Sequence, residues 1–133
     1  MLSKVNNIIR IPTSLNTTFF KYWLEFISPL HKLPPKAIEV AAAFLLKRHE
    51  LSKSIIEEEV LDKVVLGAEC KKELMETCGM SKANFDSNIK ILKQKLFLVE
   101  NRINPKFIPK NVSNNSKAFQ LLLYFDLDEK GDS

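Results

Sequence analysis

Apolar residues in this chain recur mostly at spacings of three and four, which predicts a mainly helical fold. The segment KVNNIIRIP (4–12) carries Val5, Ile8, Ile9 and Ile11 ahead of Pro12 and reads as a short strand or extended arm. Ser14 or Asn16 is placed to cap a helix running to about Ser28, with Phe19, Phe20, Trp23, Phe26 and Ile27 as one apolar stripe. Pro34-Pro35 opens a second helix to about Glu50, whose Ile38, Ala41, Ala42 and Leu45 form one face. A third segment, about 55–66, comes after Ser52 or Ser54 as cap and carries Ile56, Val60, Val64 and Val65. Its Glu57, Glu58 and Glu59 suit the first turn of a helix, where acidic groups meet the positive end of the dipole.

From Glu69 to Glu100 the pattern becomes more specific: a helix over about 68–78, a tight turn, and a second helix. Leu74, Met75 and Cys78 are the apolar positions of the first helix. Gly79 stands where a helix end needs a left-handed residue, and Ser81 caps the second helix. In that second helix Phe85, Ile89, Leu92 and Leu96 are four, three and four residues apart and fall within about 60° of arc. The opposite face holds Ala83, Ser87, Lys90 and Gln94, flanked by Lys82, Asp86 and Lys93. A helix with one buried face and one short, polar, basic face suits a DNA major groove.

Taken together, Cys78-Gly79, Met80, Ser81, Phe85, Ile89 and Leu92, with Phe97-Leu98-Val99 as a subsequent strand, resemble the helix-turn-helix of winged-helix DNA-binding domains. The resemblance covers about 30 residues directly. At Leu96 many members of that family carry the glycine that ends the recognition helix, at Met75 they prefer a small residue, and Asp86 adds a negative charge near the groove-facing surface. The resemblance implies a mainly α fold with a small antiparallel β wing (α+β), winged-helix-like, with two extra N-terminal helices. One domain over 1–133 is expected. It divides into an N-terminal arm or strand (1–13), core helices (14–66), a helix-turn-helix (67–100), a wing and C-terminal strand (101–127) and a tail (128–133). In the last part, Asn101 to Pro105 turn the chain and VSNNSK is a polar loop. AFQLLLYFDLDE alternates, with Phe119, Leu121, Leu123, Phe125 and Leu127 on one face, as a strand pairing with 97–100 or 102–108.

Charge sharpens the functional expectation. The chain carries +4 over 133 residues. Between Met80 and Lys110, Lys82, Lys90, Lys93, Lys95, Arg102, Lys106 and Lys110 face only Asp86 and Glu100, so that stretch carries +5 and the remainder −1. Positive charge concentrated in this way points to a polyanion. The expected partner is double-stranded DNA, contacted by Lys82, Asn84, Ser87, Lys90 and Gln94 from the helix and by Arg102 and Lys106 from the wing, which would reach a phosphate or a minor groove. The function expected is that of a transcriptional regulator or replication-associated protein. The alternative is a phage packaging or virion component that uses the same fold for protein contacts. A homo-oligomer or larger assembly is expected; for the regulator, helices 14–28 and 35–50 would supply the core and a dimer face.

Other chemistry is sparsely represented. Three glycines, two cysteines and two histidines leave little for a phosphate cradle or metal cage, and no Walker, Rossmann or HExxH pattern occurs. Cys70 and Cys78 stand two helical turns apart, too far for a mutual disulfide. No catalytic residue, cofactor, metal or small-molecule substrate is expected. The longest apolar run, Val40 to Leu46, is seven residues, against about 20 for a membrane span. The start of the chain lacks the apolar core of a secretion signal. The expected location is the cytoplasm of a bacterial or phage-infected cell, or the virion for the alternative; the excess of lysine and asparagine suits an AT-rich genome.

Overall fold

A computed structural model describes residues 9–110, 112, 118–121 and 126–127. Six helices precede a minimal antiparallel hairpin: α1 (Thr17–Phe26), α2 (Ser28–His31), α3 (Pro35–Leu51), α4 (Glu58–Val65), α5 (Ala68–Thr77), α6 (Lys82–Gln94), then β1 (Leu98–Val99), β2 (Arg102–Ile103) and a 3-10 turn at Pro105–Phe107. The fold is therefore mainly α with a two-stranded sheet. No helix among the described residues is long and apolar enough to cross a membrane.

α3 is the central element. Ala37, Ile38 and Val40 to Leu45 are all buried, on every side of the helix, because α1, α4, α5 and α6 all pack against it. Its four alanines let those neighbours approach closely. The single face expected from periodicity gives way to this central position, which fits the core role expected of α3. α1 starts at Thr17, where Asn16 Oδ1 accepts from Thr18 N–H at 2.8 Å. Its buried residues are Phe19, Phe20 and Leu24, while Phe26, expected in the stripe, is exposed. The expected helix to Ser28 breaks at Ile27, and Pro29 directs the chain into the short α2.

The third expected helix starts later, at Glu58, with Glu57 rather than a serine as its cap. Its inward face is Leu61, Asp62 and Val65; Ile56, Val60 and Val64 point outward, with Ile56 90% exposed. Of the short strand or extended arm expected at 4–12, residues 9–12 are not in a strand, and residues 4–8 lie outside the described residues. The hairpin turns at Glu100–Asn101, one residue earlier than expected, and pairs Leu98 with Ile103 and Val99 with Arg102. Both turn residues have positive φ (52° and 59°), the mark of a type I′ turn built without glycine. Among the described residues β1 pairs with β2. Residues 118–121 and 126–127 are not in a strand, and residues 122–125 of that expected strand, with the expected loop 113–117 and tail 128–133, lie outside the described residues.

Aromatic and polar contacts tie the N-terminal helices to the hairpin. Phe97 and Phe107 stack with centroids 6.0 Å apart, and the His31 ring meets Phe107 edge-on at 6.0 Å. Trp23 Nε1 donates to Phe107 O at 2.8 Å. Buried His31 accepts from Leu33 N–H at Nδ1 (2.9 Å), which leaves Nε2 to donate to Leu24 O (2.6 Å) and selects the Nε2–H tautomer. One core cluster runs from Phe19 to Phe107.

Candidate nucleic-acid interface

The turn between α5 and α6 is built by two backbone motifs. At the end of α5, Gly79 (φ 64°) lets its N–H reach Glu76 O at 3.0 Å and Met80 N–H reach Met75 O at 3.2 Å. These two bonds are the Schellman pattern, which satisfies carbonyls the helix end leaves free. Ser81 Oγ then accepts from Asn84 N–H at 3.2 Å and opens α6. α6 ends with the same Schellman pattern: Leu96 N–H to Lys93 O at 3.1 Å and Phe97 N–H to Leu92 O at 2.9 Å. Here the left-handed residue is Leu96, at φ 64°. Leu96, expected on the buried face, is instead 60% exposed, because the helix has already ended at Gln94. Buried Asn88 completes the inner face, its Nδ2 donating to Asn84 O at 2.9 Å.

A left-handed leucine costs about 1–2 kcal/mol, and glycine regains part of that after its own larger entropy loss of about 0.5–1 kcal/mol. Leu96→Gly is therefore expected to stabilise the fold by about 0.5–1 kcal/mol, read as a raised urea midpoint. A lowered midpoint would show that the exposed leucine side chain holds contacts outweighing the strain.

The inner face of α6 is Phe85, Asn88, Ile89 and Leu92, with Phe85 tilted against Phe44 of α3 at 6.3 Å. That packing turns Ala83, Ser87, Lys90 and Gln94 to solvent, and all four are exposed. Asn84 is exposed on the flank of that face, its backbone carrying the cap bond and the Asn88 bond. Lys82 is also exposed, but its Nζ lies 2.7 Å from Asp86 Oδ2, so its charge is largely met within the helix. Among the described residues Lys90, Lys93 and Lys95 have no carboxylate within 4.0 Å. An open notch lined by Lys93, Leu98, Glu100 and Asn101 separates the end of α6 from the hairpin.

Of the two expected wing residues, Arg102 is held by another element and Lys106 by its own turn. Arg102 Nε lies 3.7 Å from Asp62 Oδ2, and Arg48 Nε lies 3.2 Å from Asp62 Oδ1. Asp62, 4% exposed, thus takes an arginine on each oxygen and pulls Arg102 back toward α4. Lys106 sits on the 3-10 turn with its Nζ 5.7 Å above the Phe107 ring. Asn104, absent from the expected site, fixes the base of the hairpin: its Nδ2 donates to Leu96 O at 3.0 Å and its Oδ1 accepts from Lys106 N–H at 3.0 Å. The asparagine-proline pair at 104–105 is its sequence signal.

The remaining reactive groups have other environments. Both cysteines are free. Burial pushes the Cys70 thiol above the ordinary cysteine value, against the opposing pull of Lys47; burial does the same at Cys78, with Glu39 adding to it. Less thiolate is then present at neutral pH than for an ordinary cysteine, and thiolate is the reactive form. Alkylation of the native protein is expected to be slow at neutral pH and to accelerate with rising pH, with two thiols titrating after denaturation. Fast native labelling at neutral pH would contradict the burial. His49 Nε2 is buried without a partner among the described residues, its ring 5.9 Å from Phe20. No group of three His, Cys, Asp or Glu side chains among the described residues is placed to hold a metal ion.

No protein-family model, curated protein or solved structure matches the chain.

Proposed function

We propose that this protein binds double-stranded DNA through the outer face of α6, as a winged-helix type regulator or replication-associated protein. The observation that carries the reading is the outer face of α6: small or polar residues (Ala83, Ser87, Gln94) interleaved with Lys90, Lys93 and Lys95, which no carboxylate among the described residues neutralises. The helix inserts its amino-terminal half at base edges, Ser87 and Gln94 hydrogen-bond bases or phosphates, and Lys90, Lys93 and Lys95 meet phosphates. With two residues per strand the hairpin extends only about 7 Å. It therefore contributes an adjacent phosphate contact rather than a minor-groove arm, and α6 carries most of the interaction.

Fluorescence anisotropy with random duplex at several salt concentrations tests this. If Lys90, Lys93, Lys95 and Lys106 each neutralise one phosphate, log K falls with log salt at a slope of about −3.6. Lys90→Ala with Lys93→Ala is expected to shallow that slope by about 2. Asp86→Asn is expected to tighten binding, because it removes a negative charge and releases Lys82 from its pair. Lys82→Ala alone changes less than Lys90→Ala for the same reason. No binding at micromolar protein in low salt would refute the proposal.

A second reading is a protein-contact module within a phage packaging machine or virion. It is favoured by the outward apolar row Ile56, Val60 and Val64 on and before α4, since such rows mark contacts between proteins. The absence of duplex binding in low salt would favour this second reading.

A further inference from the structure

We propose that the outer face of α1 is the seam of a homodimer in which two copies of α1 pack antiparallel about a twofold axis. Tyr22 and Phe26 on α1 and Leu30 on α2 succeed one another at intervals of four residues and are 42%, 49% and 60% exposed. At 100° per residue, Tyr22 and Phe26 lie about 40° apart. The described chain returns to α1 at Phe119, whose ring meets Phe19 at 5.3 Å and Trp23 at 5.7 Å, both edge-on. That contact closes one border of the helix and leaves Tyr22 and Phe26 as its outer surface, with Leu30 exposed on α2 just after it.

Charge at the other border indicates what covers this row. Lys21 and Glu25 lie side by side there, both exposed, and among the described residues neither has an ion-pair partner. A twofold contact joins the same patch on both copies, so a residue that touches a second touches it reciprocally. When two helices run antiparallel, each presents the same border to the other in reverse order. Lys21 of one copy then meets Glu25 of the second, and Glu25 meets the second copy's Lys21. The border is thus complementary to itself, while the row beside it supplies an aromatic core of the kind such contacts use. This seam lies on α1 and does not depend on the DNA reading.

The test is sedimentation velocity on the full chain without nucleic acid. A dimer is expected at about 100 µM protomer, dissociating on dilution. Phe26→Glu, which leaves the core untouched, is expected to give a monomer with an unchanged melting profile. Glu25→Lys is expected to weaken the dimer about tenfold, by setting like charges against each other. Lys21→Glu with Glu25→Lys is expected to restore it, since antiparallel pairing survives exchange of the two signs. A monomeric wild type, as when residues 121–127 of the same chain cover the row, would overturn the proposal. So would a dimer that resists Phe26→Glu, or a double variant no tighter than Glu25→Lys; the charge variants decide alone if Phe26→Glu fails to fold.

Discussion

Truncating Phe85 to alanine is expected to remove about 3–5 kcal/mol of stability. The ring is 2% exposed and lies against Phe44, which is itself fully buried in the central helix. Its removal loses the transfer energy of the ring and opens a cavity that α3 and α6, both held at several points, cannot close. Against a typical domain stability of about 5–15 kcal/mol the loss is a large share of the total. Urea unfolding monitored by circular dichroism measures it. With a slope of about 1–3 kcal/mol per molar, the midpoint moves down by about 1 M or more. Ser87→Ala on the same helix is the control and is expected to stay within about 0.5 kcal/mol. Equal effects at the two positions would mean that α6 is rotated from the orientation described, and the outer face would have to be reassigned.

Asp62→Ala is expected to cost about 2–4 kcal/mol. Breaking a buried ion pair by removing one partner leaves the other charge unsatisfied, and Arg48, with only 12% of its side chain exposed, is the charge left behind. The figure stays below the full penalty because Arg48 keeps Glu58 at 3.6 Å and because Arg102 is already 44% exposed. Arg102→Ala, at the open end of the network, is expected to cost less than about 1 kcal/mol. Replacing Arg48 and Asp62 together by Met and Leu is expected to be close to neutral, since the desolvation of both charges disappears with their attraction. The double-mutant cycle in urea separates these outcomes. A small cost for Asp62→Ala alone would show that water, rather than Arg48 and Arg102, meets the carboxylate.

Much of the helical frame is legible in the sequence because its signals are local. Pro34-Pro35 opens α3, Gly79 and Ser81 mark the turn between α5 and α6, and the spacing of Phe85, Ile89 and Leu92 orients α6. Ser87, Lys90 and Gln94 are legible for the same reason: a helix with a known inner face has a known outer one. The Lys82–Asp86 pair is also within reach, since residues four apart on a helix are neighbours, yet the charge count alone makes Lys82 a free phosphate contact.

The sequence by itself thus determined α1 and α3 to α6, though not the short α2, and the side that α6 turns outward, because propensity, capping and periodicity act within a few residues. Tertiary structure decided the rest. On α4 Asp62 points inward while Val60 and Val64 point outward, and its partners Arg48 and Arg102 stand 14 positions before it and 40 after it; no local pattern can report a carboxylate made buriable by such distant charges. Arg102 was drawn away from the expected wing surface by the same contact. Glu100 and Leu96 adopt positive φ without glycine, conformations that their own preferences oppose and that of Asn101 does not, because the packing of Phe97 and Ile103 and the bonds from Asn104 over-determine the hairpin. The all-round burial of α3 arises because α1, α4, α5 and α6 converge on it from parts of the chain up to 50 residues away. These outcomes depend on contacts between segments remote in sequence, and only the folded chain brings those segments together.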